Sequence, residues 1–250
     1  MAQKKMIRKY GFHGISYSFI LREAAEFLQN VGFYSAPSLR PHQLTLCLHR
    51  SVQQAAEETS LISLHLGSGA SAAAIQNGKS IDTTMGLTLL EGLPGATRSG
   101  SIDPSLVFHY TSDASSLARS STKELHISLA EEILNKQAGW YSIVGTTDFG
   151  KVVQGMHDGD EKMKLAFDLF VDRIVGYIGN YFVKLGGKVD ALTFSGGIGE
   201  KSEDLRKAVV DKVGCLGFKL DDASGSTNNG GAVTRLGPNV LLIKTNEEVC

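Results

Sequence analysis

The chain has 250 residues, and its 25 Lys and Arg against 26 Asp and Glu give a formal net charge of −1. This balance lacks the positive excess with which nucleic-acid-binding proteins hold phosphates, so we predict no nucleic-acid partner. Runs of about 18 apolar residues are absent, which predicts no membrane partner. The basic start is not followed by the apolar stretch of a secretory signal, so we expect a cytoplasmic location. Three widely spaced cysteines argue against a disulfide framework. The residues Cys47, His49, His65 and His109 do not have the spacing of zinc ligands, so we predict no zinc site.

Local patterns predict a helix first and then a β-meander. Apolar residues recur with the helical period over residues 16–29, whereas residues 34–50 show no interpretable pattern. From residue 61, LISLHL, ASAAAIQ and KSIDTT are typical of three strands. A Gly-Ser-Gly turn joins the first two strands. Asn77-Gly78 joins the second pair and predicts a type I′ hairpin turn.

The rest of the chain predicts alternating helices and strands. We expect helices that open at Asp103-Pro104 and that cover 128–136, 161–185 and 201–213, strands at 189–194 and 239–246, and a polar surface loop at 224–231. Glycines follow several predicted strands. Together these elements indicate an α/β protein whose ligand site lies where the strands end.

Two glycine-containing segments are candidates for phosphate or nucleotide binding. The segment His65–Ser71 places glycines between two strands, where uncovered backbone N–H groups can bind an anion. A hairpin whose glycines only satisfy turn geometry is the simpler interpretation. The segment Ser195–Glu200 follows a strand and precedes a helix, an order typical of nucleotide sites. Here a glycine needed only for close packing is an equal alternative.

Two single residues are further candidates. Arg98 lies among small residues, which leave its guanidinium group accessible to a carboxylate or a phosphoryl group. His13, between an aromatic residue and a glycine, precedes a helix and can donate a hydrogen bond to an anion. An exposed loop arginine and a structural histidine are the ordinary alternatives.

In combination, the segments resemble the acetate kinase family of the sugar kinase/Hsp70/actin-like superfamily. The resemblance rests on five segments that occur in the same order as in that family: YGFHGISY, HLGSGASAAAIQNGKSIDTTMG, LEGLPGATRSGSIDP, FSGGIGEKSEDLR and TNEE. The sequences HLGSG and GATRSGSIDP within them most resemble the fungal branch of the family. The resemblance implies a ribonuclease H-like (actin-like ATPase) fold with a mixed central sheet flanked by helices. It also implies that residues 1–250 are a single C-terminal lobe for nucleotide binding and dimerisation, and that the N-terminal lobe is absent.

The resemblance further implies reversible transfer of the ATP γ-phosphoryl group to acetate, which gives acetyl phosphate and ADP with the help of Mg²⁺. The expected partners are acetate or acetyl phosphate, an adenine nucleotide (ATP or ADP) and a second copy of the chain in a homodimer. Arg98 matches the catalytic arginine, and His13 matches the histidine that bonds to the phosphoryl group. Phe12 matches the apolar wall around the acetate methyl group, where Leu89 replaces a common proline.

The resemblance also assigns nucleotide and metal contacts. The phosphate hairpin is matched by His65, Gly67, Ser68 and Gly69, the ribose and adenine contacts by Asp148 and Phe149, and the adenosine loop by Gly196, Gly197, Ile198 and Gly199. Glu247 matches an acidic residue implicated with the metal.

The absent lobe and the changed acetate pocket leave two alternatives open. The first is a nucleotide-binding and dimerisation fragment without catalysis, since half of the phosphate and metal ligands of a phosphoryl-transfer site are missing. We therefore expect this chain alone to have little or no kinase activity. The second alternative is a kinase for propionate or butyrate, because the leucine at position 89 changes the pocket.

Overall fold

The computed structural model describes residues 9, 11–31, 51–110, 116–117, 119, 121–122, 127–221 and 231–245. Two compact units make up the chain. One consists of Met1–Phe12, Gly67–Ser71 and Thr84–Ile174, and the other of His13–Leu66, Ala72–Thr83 and Val175–Cys250.

The described strands form one mixed sheet. They are β1 (Leu61–Leu66), β2 (Ala70–Gln76), β3 (Lys79–Thr83), β4 (Ala191–Ser195), β5 (Val233–Gly237) and β6 (Val240–Ile243). Their order across the sheet is β3-β2-β1-β4-β6-β5. The central strands β1, β4 and β6 run parallel, and antiparallel hairpins lie at both edges. The parallel strands are buried throughout. Apart from His65 their residues are apolar or small, as is typical of parallel strands buried on both faces. This architecture confirms the predicted α/β class and the mixed central sheet.

The helices of the described residues are α1 (Gly14–Asn30), α2 (Val52–Glu58), α3 (Leu106–Tyr110), α4 (Leu129–Lys136), α5 (Tyr141–Val144), α6 (Phe149–His157), α7 (Glu161–Lys184), α8 (Gly196–Lys201) and α9 (Glu203–Lys212), with a 3₁₀ turn at Gly214–Leu216. The predictions of α1, α4 and α7 are confirmed to within about two residues. The short elements α2, α5, α6 and β5 have no predicted counterpart. None of the described helices combines the length and the apolar character needed to span a membrane.

The β-meander is confirmed in all three strands. Asn77 (φ 48°) and Gly78 (φ 75°) both have left-handed backbone conformations, as a type I′ turn requires. A Cβ atom on Gly78 would lie 2.7 Å from the Ala56 carbonyl oxygen. Glycine is therefore needed here both for the turn and for its contact with α2.

Helix α1 packs on the sheet through one apolar face. Its buried residues Tyr17, Ile20, Ala24 and Leu28 belong to a cluster with β1, β2, β4, β5 and β6. This packing holds the first turn of α1 at a fixed position. His13, which immediately precedes the helix, is thereby fixed as well.

Some sequence predictions need correction, and others lie outside the described residues. The helix predicted at Asp103-Pro104 begins at Leu106, because Asp103 Oδ1 instead accepts hydrogen bonds from the backbone N–H and the hydroxyl of Ser105. The predicted glycine loop after β4 is the short helix α8, and α9 begins only at Glu203, capped by the Ser202 hydroxyl. Residues 34–50 and 222–230 lie outside the description.

Candidate functional site

Arg98 lies directly against the glycine turn that follows β1. A Cβ atom on Gly69 would be 2.9 Å from Nη1 of Arg98, so the guanidinium group occupies the space that a side chain would fill. Arg98 as a whole residue is half-buried. Within the described residues its guanidinium group forms no hydrogen bond or ion pair. The guanidinium group has five N–H donors, which are thus available to an anionic ligand.

The segment that carries Arg98 is held by backbone contacts. The Ser68 carbonyl oxygen accepts a hydrogen bond from the Ala96 N–H at 2.9 Å. A Cβ atom on Gly95 would lie 2.7 Å from the same carbonyl oxygen. The Thr97 carbonyl oxygen accepts from the Ala138 N–H at 3.0 Å, and the Thr97 hydroxyl donates to a carbonyl at the end of α4. Arg98 is therefore presented by a segment that is anchored on both sides.

His13 and His65 form a stacked pair in the other unit. Their ring centroids are 4.1 Å apart and their planes are inclined by 25°. Nδ1 of His65 is 2.8 Å from the Ser16 hydroxyl oxygen. His65 is only 5% exposed, and burial lowers its pKa, because desolvation disfavours the charged ring. His65 is therefore neutral at pH 7.

The segment predicted to contact adenosine begins where β4 ends. Gly196 has φ +75°, and a Cβ atom there would lie 2.8 Å from the Leu66 carbonyl oxygen. Gly199 is buried against β1 and β4, whereas Gly197 is exposed with open space beside its Cα atom. Ile198 is half-buried. The close contact between α8 and β1 thus leaves only Gly197 and part of Ile198 accessible.

Two polar contacts fix the far end of α8. Nη1 of Arg206 donates to the carbonyl oxygens of Gly199 and Glu200, both at 2.8 Å. Oε1 of Glu200 accepts from the backbone N–H and the hydroxyl of Thr245, both at 3.0 Å. Arg206 caps carbonyls that a short helix leaves without partners. These two hydrogen bonds connect α8 with Thr245, which lies two residues after the end of β6.

Asp148 and Phe149, predicted to contact ribose and adenine, have different surroundings. Asp148 is exposed and caps α6 by accepting a hydrogen bond from the Gly150 N–H at 2.9 Å. Phe149 is 5% exposed and packs against the rings of Trp140, Phe167 and Phe170. The exposed part of this pair is the Asp148 carboxylate, and Phe149 anchors it to the aromatic core.

The remaining predicted residues are Phe12, Leu89 and Glu247. Phe12 is half-buried, and Leu89 is 36% exposed. Glu247 lies outside the described residues. Among the residues that the structure describes, no group of three or more His, Cys, Asp and Glu side chains has the arrangement of a metal site.

Sequence reasoning missed Ser16 and Arg206 as parts of these sites, and it included Glu200 only as the last residue of the candidate segment Ser195–Glu200. Ser16 follows His13 by three residues, and helical spacing places both on one side of the first turn of α1. That spacing is a signal for Ser16. The role of Arg206 depends on how α8 and α9 meet at Ser202, for which the sequence contains no comparable signal.

The sequence comparisons point to one family. The profile of the Acetokinase family matches residues 43–250. A probable acetate kinase of Emericella nidulans is 58% identical over 221 residues, which cover 88% of this chain and 46% of that protein. A probable acetate kinase of Neurospora crassa is 53% identical over 230 residues, which cover 87% and 44%. The chain thus spans about half the length of the curated relatives it matches.

Solved structures agree with the sequence comparison. A propionate kinase from Francisella tularensis is similar with a TM-score of 0.73 and 35% identity, over 99% of this chain and 55% of that one. Acetate kinase from Porphyromonas gingivalis has a TM-score of 0.73 and 29% identity, over 99% and 55%. These neighbours have the actin-like ATPase fold, which confirms the expected fold class. On these matches, the chain belongs to the acetokinase family.

Proposed function

We propose that the chain is the C-terminal, nucleotide-binding part of an acetate kinase, which transfers the γ-phosphoryl group of ATP to acetate. The observation that carries this proposal is the half-buried residue Arg98, whose guanidinium group lies against Gly69 without a hydrogen bond or ion pair among the described residues. A partly buried cation without a partner is less favourable than a paired one. An anionic substrate would supply the missing hydrogen bonds.

The proposed reaction forms one bond and breaks one bond. A carboxylate oxygen of acetate attacks the γ-phosphorus atom in line with the β,γ-bridging oxygen. The bond from the γ-phosphorus to that oxygen breaks, and its electron pair leaves with ADP. The products are acetyl phosphate and ADP. Catalysis of such a transfer depends mainly on positioning and on stabilisation of the phosphoryl charge.

Arg98 suits both tasks. Its planar group can bind two oxygens of a carboxylate or phosphoryl group at once. The anchored segment around Ala96 and Thr97 fixes the position of Arg98 before substrate arrives, which lowers the entropic cost of the reacting geometry. In the same proposal His13 donates to the transferring phosphoryl group, and Gly197 and Ile198 contact adenosine.

Mg²⁺ accompanies ATP in this proposal, but no step is assigned to it. The described residues supply no cluster of metal ligands, and Glu247 lies outside them. The proposal also includes two further points. The protein is located in the cytoplasm, and it forms a homodimer through this part of the chain.

Propionate is a second candidate acceptor. Support comes from the propionate kinase of Francisella tularensis, which shares 35% identity with this chain. One additional methylene group changes binding by only about 1–3 kcal/mol. Competition between acetate and propionate, measured as the ratio of their kcat/KM values, distinguishes the two acceptors.

A nucleotide-binding fragment without catalysis is the remaining alternative, and it guides the choice of experiment. The purified chain alone is titrated with a fluorescent ADP analogue and assayed for acetyl phosphate, trapped as the hydroxamate. We expect binding without appreciable turnover. The same assay is then applied to a chimera that joins the chain to the part of the Emericella nidulans relative that it does not match.

In the chimera, Arg98→Ala is expected to lower kcat by about 10²–10³-fold, the usual effect of losing one group that stabilises transition-state charge. Gly69→Ala places a methyl group against Nη1 of Arg98 and is expected to lower kcat as well. Gly176→Ala in α7 is the matched control, because no neighbouring atom lies within 4 Å of its Cβ position and no role in the site is assigned to it. Full activity of the Arg98→Ala chimera would refute the proposed role of Arg98.

A further inference from the structure

Three side chains connect the first turn of α1 with the end of β1. The Ser16 hydroxyl oxygen lies 2.8 Å from Nδ1 of His65, and the His65 ring stacks on His13 with a centroid distance of 4.1 Å. His65 and Ser195 are aligned neighbours in the parallel pair β1 and β4. All of these residues lie in one compact unit. His65 is therefore fixed from one side by the sheet and from the other by α1.

We propose that Ser16 is a positioning residue, whose hydroxyl group donates to Nδ1 of His65 and keeps that ring neutral with its proton on Nε2, so that His13 stacks on an uncharged, fixed partner. The consequence for catalysis rests on the proposed function, in which His13 donates to the phosphoryl group.

The direction of the hydrogen bond follows from the partners of Ser16. Within the described residues, Nδ1 of His65 is the one hydrogen-bond partner of the Ser16 hydroxyl group. If Nδ1 carried the proton, the hydroxyl hydrogen would have no protein acceptor there. Donation from Ser16 to Nδ1 uses this hydrogen and places the ring proton on Nε2.

Two physical effects keep the His65 ring neutral in this position. Burial to 5% exposure disfavours the charged imidazolium and lowers its pKa. Ser16 also lies in the first turn of the 17-residue helix α1, where the positive end of the helix dipole disfavours a nearby cation.

The ring pair makes the state of His65 important for His13. Two positive rings at this separation would repel each other strongly in a site with little water. A neutral His65 removes this repulsion. His13 is additionally fixed by its left-handed backbone (φ 62°) and by its carbonyl oxygen, which accepts from the Tyr17 N–H at 2.8 Å.

Among the described residues, Tyr17 of α1 is a further titratable group beside the pair. The Tyr17 ring contacts His13 edge-on, at a centroid distance of 6.5 Å, and Tyr17 is buried. On the sheet side, the residue aligned with His65 is the uncharged Ser195.

The test is an NMR titration of the purified chain, labelled with ¹⁵N at histidine. Nitrogen shifts identify the tautomer of His65, and the midpoints of His13 and His65 are followed with pH. The variants are Ser16→Ala, Ser16→Thr, which retains the hydroxyl group, and Ser18→Ala. Ser18 is an exposed residue of the same helix and serves as the matched control.

We expect the unaltered chain to show the proton of His65 on Nε2. Ser16→Ala removes one hydrogen bond to the neutral His65 ring. We expect this loss to raise the titration midpoint of His65 by about half to one pH unit and to lower the titration midpoint of His13. Ser16→Thr and Ser18→Ala should resemble the unaltered chain. A proton on Nδ1 in the unaltered chain, or unchanged midpoints in Ser16→Ala, would overturn the proposal.

A kinetic measurement extends the test to function. In the chimera, Ser16→Ala should lower kcat and leave the KM for ATP unchanged, and Ser16→Thr should restore kcat. Because the NMR measurement needs no kinase activity, an inactive chimera would count against the proposed function, and the NMR result would decide the role of Ser16. Changed midpoints with an unchanged kcat in an active chimera would overturn the link between Ser16 and catalysis.

Discussion

Replacement of Gly196 by alanine tests how closely the candidate adenosine segment is packed against the sheet. Gly196 has φ +75°, and its Cβ atom would lie 2.8 Å from the carbonyl oxygen of Leu66 and 3.0 Å from the carbonyl carbon and the nitrogen of the same residue. All three atoms are backbone atoms of the central strand β1. They cannot move aside as a flexible side chain can.

The expected loss has two parts. A left-handed backbone costs an alanine about 1–2 kcal/mol relative to glycine, and forcing a methyl group into a closely packed interior costs about 1–3 kcal/mol. The free energy of unfolding should therefore fall by about 2–5 kcal/mol, out of a total of about 5–15 kcal/mol typical of proteins. With a urea m-value of about 3 kcal/mol/M, the midpoint falls by about 0.7–1.7 M.

The assay is urea unfolding of the purified chain, followed by tryptophan fluorescence and circular dichroism. Gly197→Ala is the matched control, because no atom lies within 4 Å of its Cβ position. Alanine also favours a helix over glycine by about 1 kcal/mol. The control should match or exceed the unaltered chain in stability. Equal midpoints for the two variants would show that α8 is not packed on Leu66 as described.

Three further predictions concern stability. Burial raises the pKa of Asp190 above its ordinary 3.8, so the folded state binds this proton more tightly than the unfolded state, and stability falls as pH rises from 3.8 through the raised pKa. Asp190→Asn keeps an acceptor for the Ser60 N–H. This variant should therefore raise Tm at pH 7 and weaken the pH dependence of stability. A lower Tm of the variant at pH 7 would contradict the prediction. Phe149→Ala should lower the free energy of unfolding by about 3–5 kcal/mol, whereas Phe108→Ala, at a 76% exposed position, should change it little; equal effects in urea unfolding would refute the aromatic core. Arg206→Ala leaves two carbonyls of α8 without their donor and should lower the free energy of unfolding by about 1.5–3 kcal/mol, measured in the same way; no change would refute the cap.

The sequence predicts those strands and helices that are marked by a local pattern, such as a turn pair or a regular spacing of apolar residues. The strands around Asn77-Gly78 were predicted almost to the residue, because an Asn-Gly pair between alternating or buried strands specifies both the turn and the register. The long helix α7 was predicted from its apolar period. Short helices such as α5 and α6 contain too few residues for a periodic pattern of apolar residues. Tertiary packing determines whether such segments form helices.

The candidate site divides in the same way. Family-like segments in the sequence identified Arg98, His13 and the two glycine segments as candidates. The tertiary structure alone placed Arg98 on Gly69, joined Ser16 to His65, and buried Phe149 in an aromatic cluster. Ser16 and His65, for example, are 49 positions apart in the chain. The distances in such contacts depend on how strands pair and helices pack, which no local pattern of residue types encodes.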